Sequence, residues 1–124
     1  MKLTEQEFID LVKDALDRLP AEIASHLREV TVKVKARPTA QHLADMGYGP
    51  DEPLLGMYDG MPLPERSVFD ALRYPDIVYV FQEPHEEMCD SMEELEEEVE
   101  ITLAHEIGHY VGISEERLEE LGYG

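Results

Sequence analysis

The chain has 124 residues, 43 % of them hydrophobic, and a net charge of −19. That size and apolar content fit one folded domain spanning 1–124, with a modest core, and exclude a disordered chain. The charge is uneven: from Glu83 onward 15 acids face one base, Arg117, while residues 1–82 carry 14 acids and nine bases. A field of this sign repels phosphate backbones, so nucleic acid is not an expected partner, and it attracts metal cations and basic peptides.

In chain order, Thr4 with Glu7 forms a capping box at the start of a helix. Phe8, Ile9, Leu11, Val12, Ala15, Leu16 and Leu19 give that helix a broad apolar face up to Pro20, expected to back a sheet. Ala21–Leu27 adds a short helical turn. Val30, Val32 and Val34 alternate with Thr31, Lys33 and Lys35, the pattern of a half-buried strand ended by Arg37-Pro38. Residues 37–53 are rich in Pro, Gly and polar groups and read as loop. Leu54–Tyr58 reads as a strand closed by Asp59-Gly60. An extended loop through Pro62 and Pro64 leads to a helical stretch over Arg66–Leu72. Ile77–Phe81 is a run of five apolar residues, expected to be a well-buried strand.

Ser91 followed by Glu94 is a second capping box. Leu95, Val99, Leu103, Ile107 and Tyr110 follow at spacings of three and four, and Gly112 supplies a stop. The expected helix, Met92–Val111, spans roughly 30 Å. Its Glu93–Glu100 segment reads as a solvated acidic face. The order of elements gives an α+β fold: a small, mostly antiparallel sheet packed on helices, with the long helix near the C-terminal end.

On this helix lie His105-Glu106-Ile107-Gly108-His109. Residues four apart share a helix face, with Cβ atoms about 5–6 Å apart, so two imidazoles can converge on one metal. Glu106 lies beside them, placed to take a proton from a metal-activated water. Zinc in a catalytic site takes three protein ligands and keeps a fourth position open. Glu115 is the candidate for the third. A straight helix would carry it about 15 Å along the axis from His105. A sharp turn at Gly112 folds it back. Ser114 also reads as an N-cap, with Glu115 and Glu116 in the first turn of a short last helix, where acids suit the dipole. Glu116 and Glu119 compete with Glu115 as ligand. His26, His42 and His85 read as surface residues in loops or near helix ends rather than ligands.

The run His105-Glu106-x-x-His109-x-x-Gly112-x-x-Glu115 resembles the zincin metallopeptidases with an acidic third ligand. The stretch Leu103–Gly122, with Leu54–Ser67 and Ile77–Phe81, is similar to the small bacterial mini-zincins. The resemblance implies a minimal zincin fold, Zn²⁺ as cofactor, His105 and His109 as ligands and Glu106 as general base. It suggests the acid at 115 as third ligand, where the usual pattern has Asp. It also implies that an edge strand of the sheet lies above the zinc helix and pairs with extended substrate. Leu54–Tyr58 is the preferred strand, because its flanking glycines and prolines leave an accessible edge.

The expected activity is a zinc-dependent metallopeptidase, a hydrolase acting on peptide or protein substrates, basic ones favoured by the charge. The alternative is a zinc-binding peptide-recognition or regulatory module without turnover. Tyr58, Arg66, Tyr110 and Tyr123 are candidates to stabilise an oxyanion. Only nine residues follow Glu115, so the cleft is expected to be half-built, or completed by a partner or a second copy. No apolar run reaches membrane-spanning length, and Met1-Lys2-Leu3-Thr4 lacks the apolar core of a signal peptide; a cytoplasmic protein without membrane attachment is expected. Cys89 cannot form an internal disulfide and, among acids, is read as inert.

Overall fold

A computed structural model describes residues 2–60, 62–65 and 76–123. The elements are α1 (Glu5–Asp17), α2 (Ala21–Ala24), β1 (Thr31–Lys35), α3 (Ala40–Asp45), β2 (Gly56–Asp59), β3 (Ile77–Phe81), α4 (Gln82–Met88), α5 (Met92–Val111) and α6 (Glu115–Glu120). Single 3₁₀ turns lie at Leu27–Glu29 and Leu63–Glu65. The helix expected over Arg66–Leu72 falls outside the described residues.

The α+β class holds, and the sheet is mixed rather than mostly antiparallel. Its order is β1-β3-β2. β1 runs parallel to β3, with Val32 opposite Val78 and Val34 opposite Val80. β2 runs antiparallel to β3, with Gly56 opposite Val80 and Tyr58 opposite Val78. Alternation then gives the sheet two different faces. Val32, Val34, Val78, Val80, Gly56 and Tyr58 look toward α5. Met57, Tyr79 and Phe81 look the other way, where α3 brings Leu43 and the His42 ring against them.

α5 has the limits its sequence predicts. Ser91 accepts from the Glu94 N–H, but Glu94 reaches back to the Asp90 N–H instead of closing the box. Leu95, Val99, Leu103, Ala104 and Ile107 are fully buried along one stripe. α1 keeps its complete Thr4–Glu7 box. Its buried face of Phe8, Leu11, Val12 and Ala15 packs chiefly on α5, where the sequence reading put it behind the sheet.

Two helices come from segments that lack an apolar period. α3, capped by Thr39, interrupts the 37–53 loop. α4 follows β3 without a break. Its polar groups are buried because each finds a partner: Gln82 and Glu86 clasp the Leu3 main chain through the Leu3 carbonyl (2.9 Å) and N–H (2.7 Å). His85 is the correction to the surface reading. It is fully buried, with Nδ1 at 2.7 Å from the Phe81 carbonyl and Nε2 at 2.8 Å from the Thr102 hydroxyl. A carbonyl only accepts, so Nδ1 carries a proton and donates to Phe81. Burial pushes its pKa down, against the raising effect of the Phe81 and Glu98 main-chain carbonyls. Cys89 is buried, and burial first, then Glu98, Glu94 and Asp90, push its thiol pKa up, consistent with an inert side chain. No helix of the described residues is long and apolar enough to cross a membrane.

Candidate metal centre and cleft

Near the C-terminal end of α5 the helix presents His105, Glu106 and His109 along its partly open side, and Ile107 and Gly108 to the core. Gly108 faces α6, where a Cβ would stand in ordinary contact with Leu118 at 3.4 Å. Gly112 ends the helix in the left-handed region, φ +89°. The Ile113 N–H bonds back to the Gly108 carbonyl at 2.9 Å, the closing bond of a Schellman turn. The turn reverses the chain, and Ser114 caps α6 by accepting from the Arg117 N–H. Glu115 is the first residue of α6. Its Oε2 lies 3.8 Å from His105 Nδ1.

The pairwise approaches are those of a loosely gathered donor set. His109 Nδ1 and Glu106 Oε1 are 3.7 Å apart. Two ligands on a tetrahedral zinc with bonds near 2.1 Å stand about 3.4 Å apart. His105 and Glu115 are near that separation. Among the described residues, no three His, Cys, Asp or Glu side chains converge on one point that could hold an ion. The reason is visible at His105. Its ring turns Nε2 to the Tyr123 carbonyl at 2.7 Å and leaves Nδ1 facing Glu115. Tyr123 is held there by the left-handed turn at Gly122, by burial and by its hydroxyl on Glu100 at 2.8 Å.

Glu106 is the least satisfied group of the cluster. Its side chain is only 13 % exposed, and Oε1 is a buried oxygen with no hydrogen-bond partner. A buried carboxylate oxygen without a hydrogen bond is costly unless a proton or a cation answers it, and the nearest donor is His109 Nδ1 at 3.7 Å. Glu106, the two imidazoles and Glu115 together fit the donor chemistry of zinc. Glu106 also acts on its neighbour. It holds the His109 pKa above the ordinary 6.5, outweighing the half-burial that lowers it, and Glu115 adds a smaller push upward.

A sign follows for pH. The His109 pKa is raised in the folded protein, so without metal the Glu106 contact stabilises the fold at pH below the unfolded value. The contribution is lost as pH rises through the folded pKa. Metal affinity runs the opposite way, because only neutral imidazole binds. In metal-free protein His109 is expected to titrate above 6.5 by NMR, and in Glu106→Gln to fall toward it. An unchanged His109 titration in that variant would remove Glu106 as the cause.

β2 forms the roof. Gly56 lies directly over α5: a Cβ on it would meet Thr102 Cγ2 at 2.5 Å, the Tyr79 carbonyl at 3.0 Å and Glu106 Cγ at 3.3 Å. Glycine here lets strand and helix approach at the point where Glu106 stands. Between the start of β2 and α5 is a cavity of about 240 Å³, lined by Tyr48, Leu54, Gly56, Thr102, His105 and Glu106 among others. Phe81 donates to the Leu55 carbonyl at 2.9 Å. In an antiparallel ladder pairs alternate, so Gly56 turns its N–H and C=O away from β3, to the open side of the sheet.

The structure thus brings together His105, Glu106, His109 and Glu115. Among the described residues Glu115, and neither Glu116 nor Glu119, has an oxygen within 4 Å of a histidine nitrogen. His26 and His42 stand elsewhere, with His26 on Glu29 and His42 in the Thr39 cap. The oxyanion candidates are engaged away from the cavity: the Tyr110 hydroxyl bonds Glu29, that of Tyr58 bonds Asp76 and that of Tyr123 bonds Glu100. Arg66 lies outside the described residues. Tyr48 is the cavity residue that sequence reading missed. It is delivered by the left-handed turn at Gly47, which closes α3 with the Tyr48 N–H on the Leu43 carbonyl. The available signal was Thr39, three residues before His42, followed by Met46-Gly47.

A histidine pair thus stands one helical turn apart on α5, with the largely buried Glu106 between them under β2. The chain matches the model of the zincin-like metallopeptidase family over residues 27–124 and belongs to that family. No curated protein matches it.

Proposed function

We propose that the protein is a zinc-dependent peptidase whose ion is held by His105, His109 and Glu115 and whose general base is Glu106. The observation that carries this reading is the buried Glu106 Oε1, which has no hydrogen bond and lies 3.7 Å from His109 Nδ1 beside the cavity that His105 and Glu106 line. Zinc, when bound, supplies Lewis acidity, which acidifies water and polarises a peptide carbonyl. The chain's own residues do the rest. The low exposure of Glu106 keeps bulk water from competing for its oxygens, and the missing Cβ of Gly56 leaves room for its stem. From there it accepts the proton of the attacking water and returns it to the leaving amine. The outward N–H and C=O of Gly56 offer an extended peptide main-chain partners along β2. The acidic charge of α5 favours basic peptides and cations. Tyr48 is placed to contact substrate at the cavity rim.

The second reading, a zinc-binding recognition module without turnover, is favoured by one observation: the hydroxyls of Tyr58, Tyr110 and Tyr123 are all committed elsewhere. Turnover of a mixed peptide library by zinc-loaded protein separates the two. Cleavage that chelator abolishes and zinc restores supports the peptidase. Zinc and peptide binding without cleavage supports the module.

The ligand set has its own test. Glu115→Ala is expected to weaken zinc binding in a competitive chelator titration, and Glu116→Ala and Glu119→Ala to leave it unchanged. Glu115→Asp keeps the donor and largely retains the metal. If Glu115 served only as a first-turn acid of α6, its loss would cost about 0.3–1 kcal/mol of stability and leave zinc affinity alone.

A further inference from the structure

The edge of the sheet opposite the cleft carries an unused surface. Among the described residues β1 has β3 on one side only. The Thr31 N–H bonds the Asp76 carbonyl at 2.8 Å, which sets the parity of the parallel pair. Thr31, Lys33 and Lys35 therefore turn their main-chain groups to β3, and Val32 and Val34 turn theirs to the open edge. The side chains alternate as well. Val32 and Val34 are half-buried on the helix face, and Thr31, Lys33 and Lys35 are exposed on the other. Because α1 packs on α5, a groove of about 260 Å³ remains between α1 and β1. Its floor is Ile9, Val12, Leu16, Val32 and Val34, with Lys13 at the wall.

Charge marks the same edge. Residues 28–37 hold Arg28, Lys33, Lys35 and Arg37 against a single acid, Glu29, in a chain whose net charge is −19. Arg37 is bound to Glu83. Lys13, Lys33 and Lys35 pair with no acid among the described residues.

We propose that the open edge of β1 is a docking site for an extended segment of another protein in which apolar and acidic residues alternate. A strand added beside β1 takes the outward main-chain groups of Val32 and Val34. Its side chains of one parity drop into the groove beside those valines. Those of the other parity lie next to Lys33 and Lys35, where carboxylates meet them. A second copy of β1 does not fit, since it would set these lysines against one another. The site is independent of Glu106 and of any metal.

Fluorescence anisotropy with short labelled peptides on the full chain tests it. An alternating Val/Glu peptide is expected to bind saturably. Alternating Val/Lys, and Val/Glu of the same composition in shuffled order, are not. The double variant Lys33→Glu/Lys35→Glu, at two exposed positions, should weaken binding about tenfold or more. In the complex the amide protons of Val32 and Val34 should become protected from exchange. Absence of saturable binding is the result expected if the lysines merely blunt the edge against aggregation, and it would overturn the proposal. So would equal binding of the control peptides, equal binding by the double variant, or a dimer that protects the same amides without peptide.

Discussion

Glu106→Gln is expected to keep its zinc and lose peptide hydrolysis by at least 10²-fold and up to about 10⁴-fold, the span of general-base effects. Glutamine fills the same space under Gly56 and leaves the strand–helix contact in place. It cannot take a proton from water. It also removes the charge that raises the His109 pKa, so protons compete less with metal at that ring. Zinc affinity near neutral pH should therefore be equal to or above that of the parent. Loss of turnover with zinc content intact assigns the defect to chemistry. Equal turnover in parent and variant would take Glu106 out of the mechanism.

Gly112→Ala is expected to be strongly destabilising. Two independent costs meet there. The φ of +89° is a conformation that L side chains rarely adopt, worth roughly 1 kcal/mol. A Cβ would also stand 2.3 Å from Pro64 Cγ, an overlap that forces displacement and adds about 1–3 kcal/mol. Gly122 provides the matched control: its φ is +97°, and a Cβ there meets nothing within 4 Å. Gly122→Ala should carry only the conformational cost. Urea unfolding of both variants reads the difference. A double-mutant cycle with Pro64→Ala should recover the steric part alone. Zinc affinity of Gly112→Ala should fall as well, because the bend that returns Glu115 to His105 depends on this turn. Equal stability losses at Gly112 and Gly122 would show that the Pro64 contact relaxes freely.

How much of this was legible in the sequence depends on how local each cause is. α5 could be read to the residue because Ser91, the apolar stripe and Gly112 are all local signals. The same holds for β3, whose run of apolar residues needs no partner to be recognised. The cluster of His105, Glu106, His109 and Glu115 follows from helix periodicity and one turn. The orientation of the His105 ring was not readable, since the Tyr123 carbonyl that sets it arrives through a second glycine turn. α4 was missed because its buried face is polar: Gln82, His85 and Glu86 are held by Leu3, Phe81 and Thr102, partners that no periodicity announces. The parallel β1–β3 pairing and the packing of α1 on α5 are likewise choices between distant segments. Tyr48 followed from α3, which was hidden in a stretch whose prolines and glycines read as loop.

The central place of β3 governs the order in which the chain can become structured during synthesis. Among the described residues β1 and β2 both pair only with β3, and β3 follows β1 by more than 40 residues. The buried face of α1 waits longer still, for α5. Until residues 77–111 have emerged, Phe8, Leu11, Val32 and Val34 have no partner to cover them. Contacts this distant along the chain must be closed against a large entropy, which slows folding and prolongs exposure of apolar strands. The helix that carries the two histidines thus also supplies much of the core, and Leu118 and Tyr123, which follow it, close that core last.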